Sequence, residues 1–104
     1  MTKETHKIVI SDAALMMLDT HVDFLAKVNK NAALKTMKII LNDAASLSEN
    51  PQRYPAYENP FISENNYRKM LSAKRYLVFY EISKNTVFID YIVDCRQDYT
   101  WLIQ

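Results

Sequence analysis

The sequence predicts an α+β fold of two layers, an antiparallel sheet with an N-terminal strand and a helical hairpin packed on one face. Three observations predict it: apolar residues recur at three- and four-residue spacing in two successive stretches, the period changes to two from Tyr67 onward, and a segment holding all three prolines separates the two regimes. A chain of 104 residues supports one domain with one core, spanning residues 1–104.

The elements follow in order. "HKIVI" reads as a short strand. Ser11 stands where a helix N-cap belongs, and Asp12 follows in the first turn, where the helix dipole favours a negative charge. Leu15, Leu18, Val22, Leu25 and Val28 make one apolar stripe that Met17 and Phe24 widen, ending at "NKN". A second stripe, Ala33, Met37, Ile40, Ala44 and Leu47, runs toward "ENP", and its alanines permit close approach of the two helices. Residues 50–66 form a loop.

In "RYLVFYEI" the alternation puts Tyr76, Val78, Tyr80 and Ile82 on one face, with Arg75, Leu77, Phe79 and Glu81 on the other. In "TVFIDYIVDC" the set Val87, Ile89, Tyr91, Val93 and Cys95 is expected to meet the helices, while Phe88, Asp90, Ile92, Asp94 and Arg96 face outward. "SKN" turns between these strands, with Asn85 the candidate for a left-handed backbone.

Composition narrows the chemistry. Thirteen Lys and Arg against twelve Asp and Glu leave a net charge of +1, so any anion site is local and no overall field draws the chain to nucleic acid. A lone Cys95 with His6 and His21 offers no metal-ligand cluster, and the complete absence of glycine removes Gly-rich phosphate loops. No cofactor and no metal is therefore expected. Apolar runs are short and the N-terminus lacks the pattern of a secretory leader, which places the chain in the cytoplasm and away from membranes.

The layout, together with "YRKMLSAKRYLVFYEI", "VFIDYIVDCRQDYTWL" and the "RYP" at 53–55, resembles the RelE/ParE superfamily of toxins from bacterial type II toxin-antitoxin modules, most specifically over residues 53–102. The resemblance implies a small toxin of a plasmid-stabilisation or addiction module, held inactive by a cognate antitoxin and arresting growth on release. One branch of the superfamily cuts messenger RNA on the ribosome without a metal; the other poisons DNA gyrase. By resemblance to the nuclease branch, Arg68 and Arg96 match its basic positions, Lys74 and Arg75 add cations, and Tyr99 is the candidate acid or base with Asp98 and Glu81 beside it. Leu77 stands where many nuclease members carry an arginine, and Arg75, two residues earlier, is expected on the same strand face.

The missing arginine, the lack of a C-terminal histidine and the near-neutral charge favour the gyrase branch; a ribosome-dependent nuclease and a decayed, non-toxic homologue are the alternatives. Arg96 is also placed to pair with Asp94 or Asp98. An outward patch of Leu77, Phe79, Phe88 and Ile92, flanked by Arg68, Arg75 and Arg96, is expected either to bind the antitoxin or to be capped by Tyr99 and Trp101. His21 reads as a helix-surface residue, His6 as part of a frayed terminus, Cys95 as a buried strand thiol, and the "LMML" of the first helix as core filler.

Overall fold

Ser11 joins three elements of the fold. In the structure, a computed structural model describing residues 5–55 and 67–96, strand β1 (Lys7–Ile10) ends beside it and helix α1 (Asp12–Ala26) begins after it. Its Oγ accepts the Ala14 N–H at 3.0 Å and donates to the Asp90 carbonyl at 3.2 Å, while its own N–H donates to the Ile89 carbonyl at 2.9 Å. The expected N-cap thus also fastens the helix to the sheet.

Helix α2 (Lys30–Ser46) is capped by Asn29, whose Oδ1 accepts the Ala32 N–H. A 3-10 turn (Pro51–Arg53) follows, then β2 (Arg68–Ser72), β3 (Tyr76–Ser83) and β4 (Thr86–Asp94). The sheet order is β1-β4-β3-β2, with β1 parallel to β4 and the remaining pairs antiparallel. Both helices pack on one face, over a core of Leu18, Ile40, Leu47, Met70, Tyr76, Val78, Tyr80 and Ile89.

The α2 stripe forms as expected, with Ala33, Ile40, Ala44 and Leu47 buried. On α1 the buried line is Ala14 and Leu18, leaving Leu15 41%, Phe24 62% and Val28 86% exposed. The small Ala14, fully buried, lets the helix approach closely, and this rolls Leu15 outward. Val28 lies beyond the last helical residue.

The largest departure from expectation is in β4. Tyr80 pairs with Ile89 but Phe79 pairs with Tyr91, so Asp90 is an extra residue, a β-bulge. Beyond it the alternation reverses. Ile92, 1% exposed, and Asp94 join the helix-facing side opposite Val78 and Tyr76, while Tyr91 and Val93 turn outward beside Phe79 and Leu77. The expected outward set of Leu77, Phe79, Phe88 and Ile92 is therefore not one face, because Ile92 belongs to the core. Cys95 is exposed, past the end of the strand, rather than buried within it.

Two tight turns carry positive φ without glycine. At the β3–β4 hairpin it is Lys84, at 55°, and not Asn85 that is left-handed, the φ signs of a type II′ turn. Between β2 and β3, Ala73 and Lys74 stand at 51° and 67°, with the Arg75 N–H donating to the Ser72 carbonyl. Side chains at such φ values cost on the order of 1 kcal/mol each. Lys74→Gly is therefore expected to raise stability by about 1 kcal/mol, read as a higher urea midpoint at unchanged slope; a lowered midpoint would contradict the strain.

Candidate functional site

The cations singled out in the sequence do not gather at one place. Arg68 lies in register with Tyr80, on the helix-facing side, and its Nη1 donates to the Tyr54 carbonyl at 2.6 Å and the Gln52 carbonyl at 3.3 Å. It ties the loop after α2 to the sheet. Arg53 works from the other side, donating to the Ser46 and Glu49 carbonyls and to Ser46 Oγ, where the C-terminal end of α2 favours a cation. Between them the buried Tyr80 hydroxyl donates to the Pro51 carbonyl at 2.6 Å; burial of the phenol pushes its pKa up to about 12 despite the nearby Arg68. Lys74 is exposed on the β2–β3 turn.

Arg75 and Arg96 meet at Asp94. The Asp94 carboxylate takes Arg96 Nη2 at 3.0 Å, Arg96 Nε at 3.2 Å, the Arg96 backbone N–H at 3.0 Å and Arg75 Nη2 at 3.3 Å. Arg75 does not share the outer face of Leu77 as its spacing suggested, because it sits in the turn before β3 and its guanidinium lies 5.2 Å from the Tyr76 ring centroid. The Arg96–Asp94 ion pair is the one its sequence position allowed. Hydrogen bonding from Arg96, reinforced by the Arg75 charge, lowers the Asp94 pKa to about 2 against the opposing effect of burial. The Arg96 guanidinium shifts up in turn, chiefly through its hydrogen bond with Asp94.

The outer face of the sheet has a different character. Phe79, 1% exposed, Leu77 and Val93 form a second apolar cluster with Tyr67 and Tyr91 packed against it. Beside them the Tyr67 hydroxyl donates to Asp90 Oδ2 at 2.9 Å, and burial first, then that bond, raises the phenol. Burial and the Asp90 charge raise Glu81. Two carboxylates, Glu81 and Asp90, thus stand together on the outer face of the sheet. Tyr99, with Asp98 and Trp101, lies outside the described residues.

A groove of about 760 Å³ opens between α1 and the ends of β3 and β4, walled by Met16, Thr20 and Phe24 on one side and Ile92, Asp94 and Arg96 on the other. His21 bridges its floor: Nε2 donates to the Ile92 carbonyl at 2.9 Å and the ring lies 5.0 Å from that of Tyr76. It is half-buried rather than a surface residue. His6 is likewise anchored, its backbone N–H donating to the Ser48 carbonyl. Sequence reading assigned the "LMML" run to the core; the signal for a groove wall was the four-residue step from Met16 through Thr20 to Phe24, which falls off the buried stripe.

A family model described as the ParE toxin of the type II toxin-antitoxin system, parDE, matches residues 8–99. The chain belongs to the ParE toxin family. A solved structure of the chromosomal ParDE toxin-antitoxin system from P. aeruginosa shares the fold of this toxin, with a TM-score of 0.71 at 14% identity, covering 88% of this chain and 98% of that one. No curated protein sequence matches the toxin. Among the described residues no helix is long and apolar enough to cross a membrane, and no group of three or more His, Cys, Asp or Glu is placed to hold a metal ion.

The Asp94 cluster of the toxin sets a pH dependence. An ordinary aspartate titrates near 3.8, and in the folded chain this one is held down to about 2, so its contribution is complete above pH 4 and is lost as pH falls toward 2. Asp94→Asn is expected to cost about 2 kcal/mol at pH 7, by leaving two guanidinium groups without their carboxylate, and progressively less below pH 4. Urea unfolding of both proteins at pH 7 and pH 3 measures this; an equal difference at the two pH values would refute it.

Proposed function

We propose that this ParE-family toxin acts in the cytoplasm as a non-nucleolytic poison that arrests growth by binding DNA gyrase, and that a co-encoded antitoxin holds it inactive. The observation that carries the reading is the dispersal of the candidate nuclease cations. Cleavage through a 2′-hydroxyl needs converging donors for the charge that builds on phosphorus, together with an acid and a base. Here Arg68 is committed to loop carbonyls on the helix side, Arg75 and Arg96 to Asp94, and the outer face of the sheet carries Glu81 and Asp90. A net charge of +1 supports the same conclusion, since ribosome and messenger contacts are dominated by phosphate.

Such a toxin acts by occupying a surface of its target, so its potency follows affinity and not turnover. Purified toxin is expected to inhibit supercoiling by gyrase in a dose-dependent manner, and induced cells to stop dividing with intact transcripts. Codon-positioned cuts in translated messages, together with undisturbed supercoiling, would transfer the chain to the ribosome-dependent nuclease class. Induction without growth arrest would mark it as a non-toxic homologue.

A further inference from the structure

The solvent side of the helical hairpin is divided by charge. Helix α1 carries Asp12, Asp19 and Asp23 and no lysine or arginine, while α2 carries Lys30, Lys35 and Lys38. All six are exposed, and none forms an ion pair among the described residues. The single acid of α2, Asp43, turns to the sheet, where its Oδ2 accepts the Ser72 hydroxyl at 2.7 Å. Each helix therefore repels itself: Asp19 and Asp23 are four residues apart and Lys35 and Lys38 three, spacings at which like charges destabilise a helix.

An apolar seam runs between the two charged rows. Asp43 marks the α2 flank that faces β2, and by the helical repeat Leu34 and Leu41 fall on the opposite flank, toward α1. On α1 the flank of Thr20 and Phe24 walls the groove, and Leu15 falls on the other flank, toward α2. Leu15, Leu34 and Leu41 are 41%, 44% and 37% exposed, so the crease between the helices keeps three leucines in contact with water.

A face that is acidic on one side of an apolar seam and basic on the other is complementary to its own copy. A two-fold axis along the seam lays α1 of each protomer on α2 of the other, sets acid against base twice, and closes the leucines into the centre of an antiparallel four-helix bundle. A two-fold axis across the seam sets α1 on α1, acid on acid, and the same charges oppose it. We propose that the toxin self-associates through this face into an isologous dimer whose two-fold axis follows the crease between α1 and α2. The pairing leaves the groove uncovered, because Thr20 and Phe24 lie on the far flank of α1.

Sedimentation equilibrium of the purified full-length toxin over a range of concentrations tests this. The mass is expected to rise from monomer to dimer, with an association that weakens as salt is added. Asp19→Lys with Asp23→Lys, and separately Lys35→Glu with Lys38→Glu, are each expected to raise the dimer Kd at least tenfold, since every substitution enters the dimer twice. Mixed one to one, the two reversed variants are expected to associate again, because each then offers the charge that the other lacks. Leu71→Ser, on the outer face of the sheet, is expected to dimerise within twofold of the unmodified toxin. Melting curves check that the variants are folded; where a reversal lowers the melting point sharply, Asp19→Asn with Asp23→Asn replaces it, and its expected effect is a weaker dimer with less salt dependence. A toxin that stays monomeric at every concentration overturns the proposal, and so does a dimer that folded charge variants leave unchanged. A monomeric toxin whose growth arrest is abolished by the same reversals assigns the face to the target and overturns it as well.

Discussion

One extra residue in β4 decides the geometry of everything near the groove. Had the strand kept its period, Ile92 and Asp94 would face away from the helices, and Tyr91 and Val93 would press into them. The bulge at Asp90 reverses this, and Ser11 holds it by donating to the Asp90 carbonyl from the start of α1. Helix start, bulge and strand end form one unit. The same bulge turns Asp94 to the helix-facing side, where it gathers Arg75 from the preceding turn and Arg96 from the chain beyond, and leaves the Asp90 carboxylate outside with Tyr67.

The arrangement separates two uses of charge. Arg53 and Arg68 are structural: they donate to carbonyls that the end of α2 and the following turn leave without partners within a helix or ladder. Arg75 and Arg96 surround a carboxylate that is itself buried, an arrangement that is costly to break, with the Arg96 side chain 63% exposed. Identical residue types thus serve opposite ends, and their partners distinguish them.

Much of the fold was legible in the sequence. Ser11 and Asp12 announced the first helix, the alanine-bearing stripe of α2 announced a close-packed hairpin, and period two announced β3 and the first half of β4. The bulge was not legible, because a period-two pattern and its shifted continuation use the same residue types: Tyr91, Ile92 and Val93 are each at home on either face. The error propagated from there to the patch assigned to Ile92. The cation site was misread for a related reason. Spacing along a strand says which residues share a face only while the backbone is extended, and Arg75 lies in a turn where Ala73 and Lys74 have reversed φ. Arg68 faces the helices instead of flanking the outer patch, and nothing in its neighbourhood in sequence pointed to the carbonyls of Gln52 and Tyr54, a contact across 14 to 16 residues.

The absence of glycine has a consequence for the unfolded chain. Asn50, Ala73, Lys74 and Lys84 adopt left-handed backbones that glycine would take without strain, so the native turns are held slightly above their lowest energy. Yet a chain in which every residue bears a Cβ samples fewer backbone states when disordered, and the entropy lost on folding is correspondingly smaller. A small protein with a limited core gains from a narrower denatured ensemble what its turns give up. Its native state is favoured partly by the conformations that the unfolded molecule cannot reach.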